Sequence, residues 1–96
     1  KELGRADDAL AAYQEALRRD PHLAMAHNNC GNIHKDKGRL HEAIACYQRA
    51  IQLRPDYPEA LNALGNAFQE QLRPDKAIDV YQRAIALGVE LRRELG

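Results

Sequence analysis

The segment LHEAIACYQRAI, residues 40–51, occurs three times in this chain in closely similar form. One copy, ADDALAAYQEAL, begins 34 residues earlier at residue 6, and another, PDKAIDVYQRAI, begins 34 residues later at residue 74. Including the residue before each segment, five columns are identical in all three copies: Arg5/Arg39/Arg73, Ala9/Ala43/Ala77, Tyr13/Tyr47/Tyr81, Gln14/Gln48/Gln82 and Ala16/Ala50/Ala84. Recurrence at one fixed offset indicates a repeat protein in which each unit has the same fold.

A second segment recurs at the same offset, because residues 24–37 align with residues 58–71. The columns that these two copies share are Ala26/Ala60, Asn28/Asn62, Gly31/Gly65 and Asn32/Asn66. The two kinds of segment alternate along the chain, so one repeat unit contains one segment of each kind.

The apolar residues of both segments are spaced as on one face of an α-helix, at steps of three and four. In the middle copy of the first segment these residues are Ala43, Ile44, Tyr47, Ala50, Ile51 and Leu53. The polar side of the same helix has Arg39, Glu42, Gln48 and Gln52. In the second segment the apolar residues are Ala60, Leu61, Leu64, Gly65, Ala67 and Phe68. No stretch alternates with a period of two for long enough to predict a strand.

The spacing predicts five helices, at about residues 6–19, 24–37, 41–53, 58–71 and 75–87. Proline cannot donate to a continuing helix, so Pro21 and Pro55 are expected just beyond helix ends, whereas Pro58 suits a first turn.

Glycine and aspartate indicate further boundaries. Gly4 and Gly38 are predicted to form left-handed caps just beyond the end of a helix, and Asp7 and Asp75 are predicted N-caps. Leu72 occupies the column of Gly38, and Pro74 follows it, so the loop here is expected to take a different path. Gly88 and Val89 stand where a closing proline would fall, so the last helix either breaks at Gly88 or continues towards Leu95.

This pattern resembles the tetratricopeptide repeat family, whose unit is a helix–turn–helix of 34 residues. The matching residues are Gly31, Gly38, Ala43, Tyr47, Ala50 and Pro55 in the middle unit, Leu64, Gly65, Phe68, Ala77, Tyr81 and Ala84 in the last unit, and Gly4, Ala9, Tyr13, Ala16 and Pro21 in the half unit at the front. The resemblance implies an all-α tetratricopeptide-type superhelix, a solenoid of about 2.5 repeats. The expected organisation is a half repeat at 1–23, full repeats at 24–57 and 58–91, and a tail at 92–96.

A finer resemblance concerns residues 26–36 and 42–45, which look like the superhelical repeats of O-linked N-acetylglucosamine transferases. Those repeats precede a catalytic domain and hold extended substrate peptides partly through a ladder of asparagines. Asn29 matches a ladder position, whereas Ala63 occupies the equivalent place in the next unit.

Composition excludes several classes of function. Lys and Arg number 14 and Asp and Glu number 14, so the net charge is zero and neither nucleic acid nor an anionic membrane is an expected partner. The chain contains no Ser, Thr or Trp and no glycine-rich phosphate loop. We therefore expect that it is not an enzyme and that it binds no cofactor. Two cysteines make no disulfide framework, so a reducing, cytoplasmic setting is the default expectation.

Three side chains are of the types that bind zinc in proteins. His27, Cys30 and His34 share a helical face, but the same columns hold Leu61, Leu64 and Phe68 in the next unit. The favoured interpretation is therefore core-facing histidines around a buried thiol, with no metal bound. Cys46 is equivalent to Ala12 and Val80 and is likewise interpreted as a packed small side chain.

The remaining place for function is the concave groove that, by the resemblance, the first helix of each hairpin lines. The candidate contact residues are Met25, Asn28, Asn29, Asn32, Lys35 and Asp36 in one unit and Glu59, Asn62, Asn66, Gln69 and Glu70 in the next. Two pairs, Asn28/Asn32 and Asn62/Asn66, form amide stripes that are able to bond the main chain of an extended peptide. The alternative is that these are only solvated polar positions.

The ends of such an array expose apolar surface. Uncovered residues are expected to be Leu10, Leu17 and Leu23 at one end and Ile78, Ile85, Val89 and Leu91 at the other. This predicts self-stacking or helix exchange into homo-oligomers. Three functional hypotheses follow: a scaffold that binds a protein or peptide, a substrate-recruiting segment of a larger glycosyltransferase, and a self-assembling structural module.

Overall fold

The computed structural model describes residues 2–95, and the side chains of residues 5–88. The described chain consists of five α-helices without a strand: α1 Glu2–Arg19, α2 Ala24–Asp36, α3 Leu40–Leu53, α4 Pro58–Glu70 and α5 Pro74–Leu95. The predicted all-α fold is confirmed, and so is the number of helices within this range.

Each helix packs mainly against its neighbours in sequence. Helices α2 and α3 form one hairpin and α4 and α5 form the next, while α3 packs on α4, and α2 also contacts α4. Helix α1 packs on α2 and on no other described helix. Because contacts between sequential neighbours generate a stacked array, the helices form a superhelix with extents of 43 × 31 × 22 Å.

The core joins the two hairpins and is made by the predicted faces together with Tyr57, the N-cap residue of α4, which the helical spacing did not predict. Its buried residues are Ala43, Ile44, Tyr47, Ala50, Ile51, Tyr57, Ala60, Leu61, Leu64, Ala67, Phe68, Ala77 and Val80. Leu53, predicted on the same face, is only half-buried, while Arg39, Glu42, Gln48 and Gln52 are exposed as expected. The helical period therefore identified the interior almost completely.

The predicted helix caps at the two ends are wrong. Gly4 and Asp7 lie inside α1, which begins at Glu2, and Asp75 is the second residue of α5 rather than its N-cap. Asp7 instead forms an ion pair with Lys37 in the α2–α3 turn, which joins α1 to the first hairpin. The N-cap residues of α2, α3 and α4 are Leu23, Arg39 and Tyr57, none of which makes a side-chain cap hydrogen bond.

The two hairpin turns follow the same path, contrary to the prediction for Leu72. Gly38 has φ +79° and Leu72 has φ +61°, so both occupy the left-handed region. The Arg39 N–H donates to the His34 carbonyl at 2.8 Å, and the equivalent Arg73 N–H donates to the Phe68 carbonyl at 2.9 Å. The repeated packing imposes the turn on Leu72 at the expense of backbone strain.

Helix α5 continues past Gly88 to Leu95, so the second of the two expectations for this helix is confirmed. A helical glycine is less favourable than alanine by only about 1 kcal/mol, which is too little to end a helix by itself. No proline follows it as Pro21 follows α1 and Pro55 follows α3.

The two ends of the described array differ in exposure. Ile78 and Ile85 are 56% and 66% exposed, whereas the equivalent Ile44 and Ile51, on which α4 packs, are 8% and 7% exposed. At the other end the expectation is wrong for Leu10, which is buried, whereas Leu17 is half-buried and Leu23 is exposed. The side chains of Val89 and Leu91, named with them above, lie outside the described residues. None of the described helices is long and apolar enough to span a membrane.

Replacing Leu72 by glycine is expected to raise the free energy of unfolding by about 0.5–1 kcal/mol. The substitution relieves roughly 1–2 kcal/mol of left-handed strain, and the added freedom of the unfolded chain offsets part of this gain. Leu72 is 86% exposed, so few packing contacts are lost. Urea unfolding measures the change; the reciprocal variant Gly38→Leu should lose stability, and a gain there would contradict the strain argument.

Candidate functional site

Helices α2 and α4 lie side by side, and their polar residues form the candidate groove. Of the predicted contact residues, eight are exposed: Met25, Asn32, Asp36, Glu59, Asn62, Asn66, Gln69 and Glu70. Asn29 and Lys35 are half-buried. Lys35 Nζ lies 3.3 Å from Glu70 Oε2, so these two side chains pair with each other between the helices. An ion pair at this exposure contributes at most about 1 kcal/mol.

Asn28 does not belong to the exposed surface, contrary to the prediction. It is 7% exposed, and its Oδ1 atom is buried without a hydrogen-bond partner among the described residues. The equivalent Asn62 is exposed, although both residues occupy the same helical face. The two helices differ in position in the array: α2 has the first helix of the next hairpin, α4, beside it, whereas no described helix follows α5 to take that place beside α4. The two predicted amide stripes are therefore reduced to Asn32 on one helix and Asn62 with Asn66 on the other.

A tyrosine ring lies directly on a glycine in both hairpins. A Cβ atom built on Gly31 would lie 2.6 Å from Tyr47 Cε1, and one on Gly65 would lie 2.5 Å from Tyr81 Cε1. Real Cβ atoms do not approach a carbon so closely, so any side chain at these glycines displaces the ring. The glycines therefore bring the second helix of each hairpin against the backbone of the first.

The same tyrosines hold the groove asparagines. Tyr47 Oη donates a hydrogen bond to Asn32 Oδ1 at 2.6 Å, and Tyr81 Oη donates the equivalent bond to Asn66 Oδ1. Tyr81 Oη also lies 3.3 Å from Gln69 Oε1, a second acceptor in its hairpin. Because the amide oxygen is turned towards the tyrosine, the Nδ2 group points away from it and remains a donor.

Sequence reasoning did not identify this hydrogen bond, although a signal for it exists. Asparagine follows glycine and precedes the repeated tyrosine by 15 residues in both hairpins. A set of residues that recurs together at the repeat offset, such as this glycine, asparagine and tyrosine, indicates that its members contact each other. Each of these residues taken alone needs no such contact, because its place on its own helix already accounts for it.

Burial shifts the pKa of the tyrosine in the first hairpin. Tyr47 is fully buried, and burial raises its pKa to about 12, with the carboxylate of Asp36 contributing in the same direction. The phenol is therefore neutral near pH 7 and keeps the proton that it donates to Asn32.

The histidine and cysteine cluster packs partly as predicted. Cys30 is buried, while His27, His34 and Cys46 are half-buried. His27 Nε2 lies 3.1 Å from the Pro21 carbonyl. Burial raises the pKa of Cys30 to about 11, and it raises the pKa of Cys46, so both free thiols are protonated and are poor metal ligands. Among the described residues, no three His, Cys, Asp or Glu side chains are placed to hold a metal ion.

A concave surface lies between α3 and α5. This cavity has a volume of about 770 Å³ and is lined by Gln48, Ile51, Gln52, Pro55, Leu64, Phe68, Lys76, Asp79, Val80 and Arg83. The Lys76 ammonium lies 5.7 Å from the centre of the Phe68 ring. The sequence pattern treated Ile51 and Phe68 only as core residues, so this cavity was not predicted.

Comparison with known families agrees with the helix pattern. The family described as TPR repeat matches residues 1–38 and again residues 31–71, and the family described as tetratricopeptide repeat matches residues 58–88. The chain belongs to the tetratricopeptide repeat family. Repeats of this kind provide extended concave surfaces for binding other proteins.

Solved structures show the same fold. Two structures described as crystal structures of MamA match with TM-scores of 0.90 and 0.85, each at 21% sequence identity and each over 96% of this chain. The chain spans 54% and 50% of the length of those two proteins. No curated protein matches the sequence. At this identity the likeness establishes the tetratricopeptide repeat fold, and it carries no information about partners.

Gly31→Ala is expected to lower the free energy of unfolding by about 1–3 kcal/mol, because the added methyl group displaces a fully buried ring. Gly65→Ala should be less damaging, since Tyr81 is partly exposed and is able to shift. Gly88→Ala is the matched control: nothing lies within 4 Å of its Cβ position, so it should gain up to about 1 kcal/mol of helix propensity. Equal losses at Gly31 and Gly88 in urea unfolding would contradict the packing argument.

The raised pKa of Tyr47 predicts a loss of stability in strong alkali. The folded state favours the neutral phenol of Tyr47. Its contribution to the free energy of unfolding is therefore complete below the ordinary tyrosine pKa of 10.0 and disappears as the pH rises through about 12. Urea unfolding between these pH values should show a steeper loss for the wild type than for Tyr47→Phe, which has no proton to lose. Identical pH dependence in the two proteins would contradict this assignment.

Proposed function

We propose that this chain is a protein-interaction scaffold that binds an extended segment of a partner in the groove between α2 and α4. The observation that carries the proposal is the pair of exposed asparagines, Asn32 and Asn66, each held by the tyrosine of its own hairpin. A side chain oriented before binding loses less conformational entropy when a ligand arrives, so ordered amides on a surface favour recognition.

The chemistry of the groove suits a main chain better than one particular side chain. Amides donate and accept hydrogen bonds without carrying charge, and extended peptides present both groups along their backbone. Of the charges near these amides, Lys35 and Glu70 neutralise each other in an ion pair, and the carboxylate of Asp36 lies near enough to Tyr47 to raise its pKa. A groove of this kind is expected to accept several sequences in one backbone conformation.

The family supports this function in its general form, since tetratricopeptide repeats bind proteins through their concave surfaces. The scaffold role requires no catalytic residues. Membership in the contact surface remains a prediction for all of the predicted residues other than the buried Asn28, which are Met25, Asn29, Asn32, Lys35, Asp36, Glu59, Asn62, Asn66, Gln69 and Glu70.

The two other hypotheses have less support. A substrate-recruiting role in a larger glycosyltransferase stays a hypothesis, because neither the matched families nor the two solved structures point to a transferase. Self-assembly has one favourable observation, the exposure of Ile78 and Ile85 at one end of the described array. Sedimentation at increasing concentration tests it, with replacement of both isoleucines by glutamine as the comparison.

The groove is tested with peptides selected from a displayed random library against the wild-type chain. Fluorescence anisotropy then compares the wild type with the triple variant Asn32→Ala/Asn62→Ala/Asn66→Ala. Two or three lost hydrogen bonds, at about 0.5–1.5 kcal/mol each, should weaken binding by about tenfold or more. Asn28 is left unchanged in this variant because it is buried.

The matched control is Gln14→Ala/Gln48→Ala/Gln82→Ala, which removes amides from exposed positions of the second helices. This control should bind like the wild type. Because Gln48 also lines the cavity between α3 and α5, the reverse result, a loss in the control and none in the asparagine variant, would place binding in that cavity and overturn the proposal.

A further inference from the structure

The cavity between α3 and α5 has an apolar floor. Helices α3 and α5 do not contact each other in the described chain, whereas α4 contacts both of them. Side chains of α4 therefore close the base of the gap, together with one residue from each of the other two helices. The floor consists of four buried side chains, which are Ile51, Leu64, Phe68 and Val80.

A smaller cavity extends this surface along α5. It has a volume of about 180 Å³ and adjoins the larger cavity, because Pro55 and Arg83 line both. The α5 residues that line the two cavities run from Lys76 to Leu87, a distance of about 16 Å at 1.5 Å per residue. The two cavities together are called the α3–α5 groove below, and its length matches about three turns of a helix.

The α5 wall of this groove is positively charged. It contains the exposed side chains of Lys76, Asp79 and Arg83, two cations against one carboxylate. The Lys76 ammonium lies 5.7 Å from the centre of the Phe68 ring, so this positive charge is close to the apolar floor. None of the three charged groups belongs to an ion pair within the part of the chain that the structure describes. A ligand that brings carboxylates would complement this wall.

The repeat does not account for these charges. Lys76 and Asp79 occupy the columns of Glu42 and Ala45, so the first hairpin has a negative charge and a methyl group where the second has a positive and a negative charge. Because both hairpins have the same fold, packing does not require a lysine or an aspartate at these positions. The charged wall is therefore a feature of this groove and is not required by the fold.

We propose that the α3–α5 groove binds an acidic amphipathic helix of a partner protein. Apolar side chains of that helix lie on the floor, and two of its carboxylates pair with Lys76 and Arg83. These cations are seven residues apart on α5, or about 10.5 Å, and carboxylates seven residues apart on the partner helix have the same spacing. The inference goes beyond the proposed function, because other residues form this surface.

The apolar floor favours a helix over an extended segment. An extended segment would place backbone N–H and C=O groups over Leu64, Phe68 and Val80, whose side chains offer no hydrogen bonds. A helix satisfies its backbone groups internally and presents only side chains to the floor. Binding of an amphipathic helix by its apolar face is an established mode of peptide recognition.

The probe is an alanine-based peptide of about 20 residues, long enough to form a helix in isolation, with two glutamates seven residues apart beside a stripe of leucines. Fluorescence anisotropy measures its affinity for the chain. Lys76→Gln/Arg83→Gln should weaken binding by about fivefold. The matched control is Arg39→Gln/Arg73→Gln, which removes two exposed cations that do not line the groove and should bind like the wild type.

Two further variants give results that loss of structure cannot produce. Asp79→Asn removes the only carboxylate of the groove wall, so the acidic peptide should bind about twofold more tightly. Lys76→Glu/Arg83→Glu reverses the charge of the wall. This variant should bind a peptide with lysines in place of the two glutamates more tightly than the wild type does.

Four outcomes would overturn the inference. The first is an equal loss of affinity in the Arg39/Arg73 control, and the second is the absence of any gain in both the aspartate and the charge-reversal variants. The third is equal binding by a version of the peptide with a proline at its centre, since that peptide forms no continuous helix. In the fourth, the peptide loses affinity for Asn32→Ala/Asn62→Ala/Asn66→Ala and not for Lys76→Gln/Arg83→Gln, which would place it between α2 and α4 and leave the proposed function intact.

Discussion

The close approach of a tyrosine ring to a glycine backbone is the contact on which both hairpins depend. At Gly31 and Gly65 no room remains for a Cβ atom, so the two helices of each pair meet at a distance that only glycine permits. The small residues Ala43 and Ala50 on either side of Tyr47 are fully buried in the same interface. Small residues bring the helices together, and one large ring fills the remaining space, so the hairpin has a single packed arrangement.

That contact also connects stability to the candidate site. The ring that fills the hairpin interior carries a hydroxyl group that emerges beside Asn32, and the second hairpin repeats the arrangement at Asn66. At Asn32 the groove inherits the rigidity of the core, because the amide is held by a tyrosine that is fully buried, whereas Tyr81, which holds Asn66, is partly exposed. Tyr47 thus serves packing through its ring and surface chemistry through its oxygen, and substitution by phenylalanine separates the two roles.

Stacking of equivalent units explains both the regular and the irregular features of the molecule. The turn at Leu72 adopts the backbone of Gly38 because neighbouring helices impose one geometry on every unit, even where the local residue is unsuited to it. Residues in equivalent columns nevertheless differ in exposure at the end of the array, as Ile78 does from Ile44. The repeat determines conformation, whereas position within the array determines what is covered.

The sequence by itself determined the helices, their order and almost all of the interior, because the 34-residue period and the helical spacing of apolar residues are properties of the chain alone. It also pointed to the groove asparagines, since polar columns on the first helices are visible once the period is known. Tertiary structure alone decided that Asn28 is buried while Asn62 is exposed, because burial depends on which helix lies alongside. It also decided the direction of the Asn32 and Asn66 amides, since the tyrosines that orient them lie 15 residues away on another helix and meet them only after the hairpin has closed.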